Sequence, residues 1–325
     1  MPDGDLRDRR LGWVGTGRMG YSLVSRLLEA GCDVAVYNRT RAKAEPLAEL
    51  GATIVNSPAE LGERDIVFTI VAGSDDFREV VTGPAGLLSR LEARPGIIVD
   101  STTVSPASSE EVRERAAERG TALLAAPVSG NPKVVAAGLL TFVVSGPANA
   151  YREVEPYLEL LGQGATYVGE GEQARLAKVC HNLLLGVVAQ SLAEIAVLAE
   201  KAGISRADLL EFINTSVMGS LFTRYKTPAY VKADFTPTFT PILLRKDFDL
   251  GVELARELDV PMPVATAAQQ VVQALIGRGH TDDDFAALLE LQAEASGLEL
   301  KPEDVPVTDG LGPPRSAAVE VRTQS

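Results

Sequence analysis

Leu11-Gly12-Trp13-Val14-Gly15-Thr16-Gly17-Arg18-Met19-Gly20 is the stretch that decides the fold. Its first residues read as an apolar strand, and the glycines after it form a G-x-G-x-x-G. The first two glycines permit a tight turn and close approach of backbone to a pyrophosphate. The third lets a helix pack against the strand. That helix, expected from about Met19 to Glu29, points its N-terminus at the anion. A second apolar run, Asp33-Val-Ala-Val-Tyr37, follows at the distance of a parallel neighbour reached by a crossover. Further apolar runs recur at 53–55, 65–71, 96–100 and 121–125, separated by helical segments. The alternation predicts an α/β Rossmann-type fold, a doubly wound parallel sheet with helices on both faces. Two more runs, 141–145 and 165–168, can extend the same sheet.

The second strand ends in Asn38-Arg39-Thr40. At this place an acid would accept a hydrogen bond from the ribose 2′-hydroxyl of NAD. Here the acid is missing, and Arg39 stands beside the position with Arg41 and Lys43 close behind. A 2′-phosphate needs positive donors and is repelled by an acid. NADP(H) is therefore the favoured cofactor, and NAD(H) stays possible.

After Gly171 the character of the chain changes. Residues 173–202 carry no proline and a single glycine, Gly186, in a run rich in Ala, Leu, Val and Glu. This predicts one helix of about 30 residues, well above the usual length. Helical patterns continue to about Ser296, interrupted by Phe235-Thr-Pro-Thr-Phe-Thr-Pro241. The expected organisation is a cofactor-binding Rossmann domain over 9–170 and an all-α C-terminal domain for substrate and oligomerisation over 171–296. The long interdomain helix joins them. Over 297–325 the composition turns polar and proline-rich, and a disordered tail is expected.

Bulk properties narrow the partners. A chain of 325 residues is longer than one core usually holds, which agrees with two domains. Acids outnumber bases 44 to 31, so nucleic acid is not an expected partner. Two cysteines, Cys32 and Cys180, make no disulfide framework, and two histidines are too few for a histidine-rich metal site. No signal-type segment opens the sequence, and no apolar run of about 18 residues is unbroken. The expectation is a cytoplasmic protein with no metal and no membrane partner.

Two further places carry chemistry. Lys178, His181 and Asn182 stand at i, i+3 and i+4 of the long helix, so an ammonium, an imidazole and an amide share one face among apolar neighbours. A lysine so placed can give or take a proton at a substrate oxygen, while the nucleotide domain upstream supplies hydride; the pair suggests a dehydrogenase. Ala126-Pro-Val-Ser129-Gly130-Asn131 follows a strand, and a Ser-Gly turn offers a hydroxyl and backbone N–H groups suited to a carboxylate.

Together these residues resemble the β-hydroxyacid dehydrogenase family, which includes 3-hydroxyisobutyrate dehydrogenase, tartronate semialdehyde reductase and the glyoxylate/succinic semialdehyde reductases. Four motifs carry the likeness in the family's order: the fingerprint with Met19, Ala126 to Gly130, Ala174 to Asn182, and Lys246-Asp247-Phe-Asp-Leu. The likeness covers about residues 9–296. The resemblance implies that Lys178 is the catalytic acid/base and that Ser129, Gly130 and Asn182 bind a carboxylate. It also implies that Lys246 closes over nicotinamide and substrate, that Thr103 is the nicotinamide-side threonine, and that Val71 and Ala72 line the cofactor. Three positions depart from the family. Ala174 replaces a glycine of the catalytic helix. Asn131 replaces a second glycine, with less backbone freedom beside the carboxylate site. His181 replaces an asparagine.

A Lys-x-x-His-Asn helix is also similar to that of 6-phosphogluconate dehydrogenase. Its acid and tyrosine, however, are replaced here by Leu185 and Gly186. Decarboxylation of a sugar phosphate is therefore not expected, though His181 can contact a substrate hydroxyl.

The expected substrate is a small carboxylate-bearing aldehyde or hydroxyacid. An apolar long helix points to a homodimer or homotetramer. The rival readings are an imine reductase-like enzyme and a non-catalytic dehydrogenase-like module; relatives of both kinds usually lack the lysine that stands here at 178.

Overall fold

The computed structural model describes residues 6–312. The chain divides into two compact units, the first running to Lys178 and the second beginning at Val179. In the first, β1 (Arg10–Val14), α1 (Arg18–Glu29) and β2 (Asp33–Tyr37) form the expected βαβ unit, with β1 and β2 parallel. β3 (Thr53–Ile54), β4 (Ile66–Thr69), α2 (Ser74–Thr82), β5 (Ile97–Asp100), α3 (Pro106–Glu118) and β6 (Ala122–Ala125) complete a six-stranded parallel sheet. Its order is β3-β2-β1-β4-β5-β6.

Strand residues are apolar on both sides because helices cover both faces, and β4 and β5 are buried along their whole length. Successive side chains alternate between two cores. Trp13 packs with Leu23, Leu27 and Phe68 on one face, and Val14 with Ala35, Val67 and Phe77 on the other. Strand order reverses between β1 and β4, which opens a crevice at their carboxyl ends.

Two glycines of the fingerprint are forced by geometry. Gly15 has φ +96, and a Cβ there would lie 2.1 Å from the Ile70 carbonyl oxygen. A Cβ on Gly20 would lie 1.9 Å from the Gly15 oxygen, so α1 can pack this closely only without it.

The runs at 141–145 and 165–168 do not extend the main sheet. β7 (Val128–Ser129), β8 (Thr141–Val144) and β9 (Gly164–Tyr167) form a separate sheet, with α4 (Pro132–Ala136) and α5 (Ala148–Leu161) between its strands. β7 and β8 are antiparallel, β8 and β9 parallel. A single antiparallel bridge, Ala125 to Ser145, touches the end of β6. Pro127 explains the break: it has no N–H for a ladder, so the strand that begins as β6 cannot run on as one.

α6 (Gln173–Lys201) is the expected long helix, and the division between the two units falls within it. By length and composition α6 could cross a membrane, yet 56% of its most apolar window is buried inside the protein, as in a core helix. The second unit continues with α7 (Arg206–Thr215), α8 (Leu221–Lys232), α9 (Pro241–Glu257), α10 (Pro263–Gly277) and α11 (Leu288–Ala295). α6 and α9 meet through two glycines. A Cβ on Gly186 would lie 2.4 Å from the Phe248 ring, and one on Gly251 would lie 2.6 Å from Leu183.

The proline-bearing interruption is pinned by Asp284. This carboxylate accepts from Lys226 (2.5 Å) and from the hydroxyl (2.7 Å) and N–H (2.9 Å) of Thr238. Burial alone would raise the Asp284 carboxyl, but the Lys226 ammonium and the hydrogen bonds outweigh it and hold it below its ordinary value. That contribution to stability is present at neutral pH and is lost as pH falls through the lowered value.

Composition misreads the segment from 297. Residues 297–312 are packed, not disordered, and the expectation for 313–325 lies outside the described residues. Leu298, Leu300 and Val307 pack against the helical core. The Glu303 carboxylate accepts from the N–H groups of Arg206 (2.7 Å) and Ala207 (3.0 Å), capping α7. The fully buried Arg206 guanidinium donates to the carbonyls of Lys301 and Tyr230 and to Glu200. The apolar residues at 298, 300 and 307 are the signal that the polar, proline-rich average hides.

Candidate active site

The glycine turn with Arg18 and Met19, the loop Asn38-Arg39-Thr40, and Val71-Ala72 all line one cleft of about 490 Å³ at the crevice beside β1. A dinucleotide fits what these residues present. α1 has no side-chain cap at Gly17 and no acid in its first turn, so its dipole favours an anion at this end. A Cβ on Gly17 would meet nothing within 4 Å, which leaves room for a phosphate against the backbone. Arg18, Arg39 and Lys43 bring positive charge to the lining, and Asp76 and Glu79 of α2 bring negative charge.

Asn38 plays a part that its position alone does not reveal. Its Oδ1 accepts from the Thr16 N–H (2.9 Å) and its Nδ2 donates to the Thr40 carbonyl (2.8 Å). The side chain thus ties the glycine turn to the loop after β2. Arg39 donates from Nη1 to Asp76 Oδ1 at 2.7 Å. Thr103 lies outside the cleft lining, half-buried in the loop after β5, and Lys246 lies on α9 in the second unit.

Ser129 ends β7, half-buried, with the exposed Gly130 after it. Gly130 has φ +144, and a Cβ there would lie 2.8 Å from both Leu140 and Val134. Asn131 has φ −132, a conformation open to any residue, so the freedom of a glycine is not used there. Its Oδ1 instead accepts from the Val134 N–H (3.1 Å) and caps α4. The smaller backbone freedom of Asn131 relative to glycine therefore costs no strain in this conformation. Ala174 is equally well accommodated: it is fully buried, and its N–H donates to Ser145 Oγ at 3.0 Å.

On α6, Lys178 is half-buried, His181 exposed and Asn182 buried. The Asn182 amide donates to Asp247 Oδ2 at 2.6 Å, and its Oδ1 faces His181 Nδ1 at 2.9 Å. Because the Asn182 nitrogen is committed to Asp247, its oxygen must accept, so Nδ1 of His181 carries the proton. Asp247 therefore sets the orientation of Asn182 and, through it, the tautomer of His181.

A buried ion network adds residues that no sequence motif marks. Asp100, fully buried at the end of β5, accepts from Arg175 Nη2 (2.7 Å), Thr69 Oγ1 (2.5 Å) and Thr102 Oγ1 (2.7 Å). Thr102 Oγ1 in turn accepts from the Val71 N–H at 3.0 Å. Arg175 also donates from Nη1 to the Thr102 carbonyl (2.8 Å) and from Nε to Ser109 (2.7 Å) and Glu172 (3.0 Å). Arg113 and Glu172, paired at 2.6 Å, balance the charge. The loops after β4 and β5 are thus both lashed to α6 one turn before Lys178. A signal was present: an acid closing the run Ile97-Ile-Val-Asp100 is buried, and a buried acid needs a cationic partner.

Among the described residues, no group of three or more His, Cys, Asp or Glu side chains could hold a metal ion.

Comparison with known proteins agrees with this arrangement. Residues 10–169 match the family profile described as the NAD binding domain of 6-phosphogluconate dehydrogenase. Residues 172–292 match the one described as the NAD-binding domain of NADP-dependent 3-hydroxyisobutyrate dehydrogenase. The chain is 31% identical to the chloroplastic glyoxylate/succinic semialdehyde reductase 2 of Arabidopsis thaliana, over 89% of this chain and 81% of that protein. It is 32% identical to the cytokine-like nuclear factor N-PAC of Xenopus tropicalis, over 86% of this chain but only 53% of that one. Among solved structures, the 3-hydroxyisobutyrate dehydrogenase of Mycobacterium tuberculosis with L-serine superposes with a TM-score of 0.75 at 29% identity, covering 87% of this chain and 98% of that chain. A nucleotide cleft at the switch point, a lysine on the long helix and these matches together place the chain in the β-hydroxyacid dehydrogenase family of NAD(P)-dependent oxidoreductases.

Proposed function

We propose that this protein interconverts a small β-hydroxyacid and its semialdehyde with NADP(H), Lys178 acting as the general acid and base. The observation that carries the reading is the start of α6. Arg175, Lys178 and Asn182 share one helical face, and Arg175 anchors that face to the two cofactor-side loops. The glycine turn and the Asn38–Thr40 loop would hold the cofactor, which would supply or accept the hydride. Lys178 gives a proton to the carbonyl oxygen in reduction and takes it back in oxidation. The Ser129 hydroxyl and the Gly130 N–H hold the carboxylate. Asn182, its amide oriented by Asp247, keeps one amide hydrogen for a substrate oxygen. L-serine, with which the Mycobacterium tuberculosis relative is described, is itself a 3-hydroxy acid and supports this substrate class.

A panel of semialdehydes and 3-hydroxyacids, assayed with both cofactors, tests the reading. Turnover of at least one pair is expected. Reduction of cyclic imines with no activity on the panel would favour the imine reductase reading. No turnover at all would favour a non-catalytic dehydrogenase-like module.

Arg39 is assigned to the 2′-phosphate. Its side chain is 82% exposed, so the contact belongs at the weak end of charge-assisted bonds. Arg39→Ala should weaken NADPH use about tenfold, matching about 1.5 kcal/mol, and leave NADH use unchanged. The measurement is the ratio of kcat/KM values for the two cofactors, and a ratio that does not move removes Arg39 from the site.

The protein is also expected to form a homodimer or homotetramer. Leu184, Ile195 and Leu198 are exposed along one stripe of α6, and Phe212, Val217 and Met218 are exposed nearby in sequence on and after α7. Light scattering at micromolar concentration should give at least twice the chain mass, and Leu184→Glu with Leu198→Glu should reduce it. A wild-type monomer would contradict the expectation.

A further inference from the structure

Asp76 faces Arg39 across the mouth of the cofactor cleft, at 2.7 Å, and both side chains line it. Acids are common in the first turn of a helix, where the dipole favours them, so position alone says little. The neighbouring acid shows the contrast. Asp75 turns outward to Arg78 and is 96% exposed, whereas Asp76 is 32% exposed and committed to Arg39. Glu79, one turn further along α2, lines the same cleft. At the end of β2, where a ribose-binding acid would stand, Asn38 is occupied with Thr16 and Thr40.

We infer that Asp76 sets the cofactor preference of this protein by supplying, from α2, the acid that β2 lacks. The inference rests on the assignment of Arg39 to the 2′-phosphate. That phosphate carries nearly two negative charges at neutral pH. To reach Arg39 it must displace or share the Asp76 carboxylate and lie close to it, which costs affinity. A ribose diol carries no charge and can donate to the same carboxylate while Arg39 stays paired. Asp76 therefore subtracts from the NADP(H) preference that Arg39 creates, and makes NAD(H) an acceptable ligand.

The test is calorimetric titration of NADP+ and NAD+ into wild type, Asp76→Asn, Arg39→Ala and the double variant, at low and high salt. Both side chains sit at the surface of the cleft, so the variants should fold. Asp76→Asn should tighten NADP+ about two- to fivefold at low salt, the scale of a partly exposed ion pair. The gain should shrink at high salt through screening. NAD+ should weaken, and most of the NADP+ gain should vanish in the Arg39→Ala background. If Arg39→Ala weakens NADP+ but Asp76→Asn changes neither cofactor, the inference on Asp76 is overturned and the role of Arg39 stands. If Arg39→Ala leaves NADP+ unchanged, the assignment of Arg39 fails, and this inference with it.

Discussion

Lys178→Ala should lower turnover by about 100-fold or more, the usual scale for losing a general acid, while NADPH binds as before. The two readouts separate because Lys178 is not among the residues lining the cofactor cleft. It stands on α6, one turn past the anchor at Arg175. In the proposed mechanism its ammonium would act only as the carbonyl oxygen gains charge, so its loss should fall on kcat more than on cofactor affinity. Lys178→Arg should not rescue the activity, because a guanidinium does not give up its proton in the working range. Stopped-flow turnover and a fluorescence titration of NADPH measure the two effects. Turnover of either variant near the wild-type rate would remove Lys178 from the mechanism.

The second large effect is on stability. Arg175→Met should destabilise the first unit by about 3–5 kcal/mol, the cost of leaving one buried charge without its partner. Asp100 is fully buried and Arg175 is 3% exposed, so water cannot replace the missing guanidinium. The same change frees the loops after β4 and β5, and NADP+ binding should weaken with it. Asp100→Leu combined with Arg175→Met should recover much of the stability, because the orphaned charge is gone, but not the binding. Urea unfolding followed by the fluorescence of Trp13, with NADP+ titration alongside, reports both quantities. A loss below about 1 kcal/mol would place the pair in the class of surface ion pairs and sink the argument.

Much of the fold could be read in the sequence because its signals are local. The strand, glycine turn and helix from Leu11 to Glu29 lie within one contiguous stretch, and each glycine answers a steric need there. Proline-free α6 was equally plain. The separate sheet of β7, β8 and β9 was not, because an apolar run such as 141–144 states that it is a strand but not which edge it joins. For the same reason the sequence does not show the partner of Asp100: Arg175 reaches it across the fold, and no short motif records the pair. The role of Asn38 as a tie between loops, and that of Asn131 as a helix cap, depend on where their amides point rather than on residue type.

The packing of residues 297–312 bears on the order in which the chain completes itself during synthesis. The first unit contains its sheet, its cleft and its buried ion network by Lys178. All of these contacts are available once that length has left the ribosome. Those of the second unit are not. Until residues 301–303 emerge, the Arg206 guanidinium lacks the Lys301 carbonyl, and the first N–H groups of α7 lack the Glu303 carboxylate. A buried guanidinium with open donors is costly, so the helices from α7 onward must wait in a looser state for the segment that closes them. Translation thus orders the contacts: those of the nucleotide cleft become available first, and those that close the helical unit only with residues 301–303.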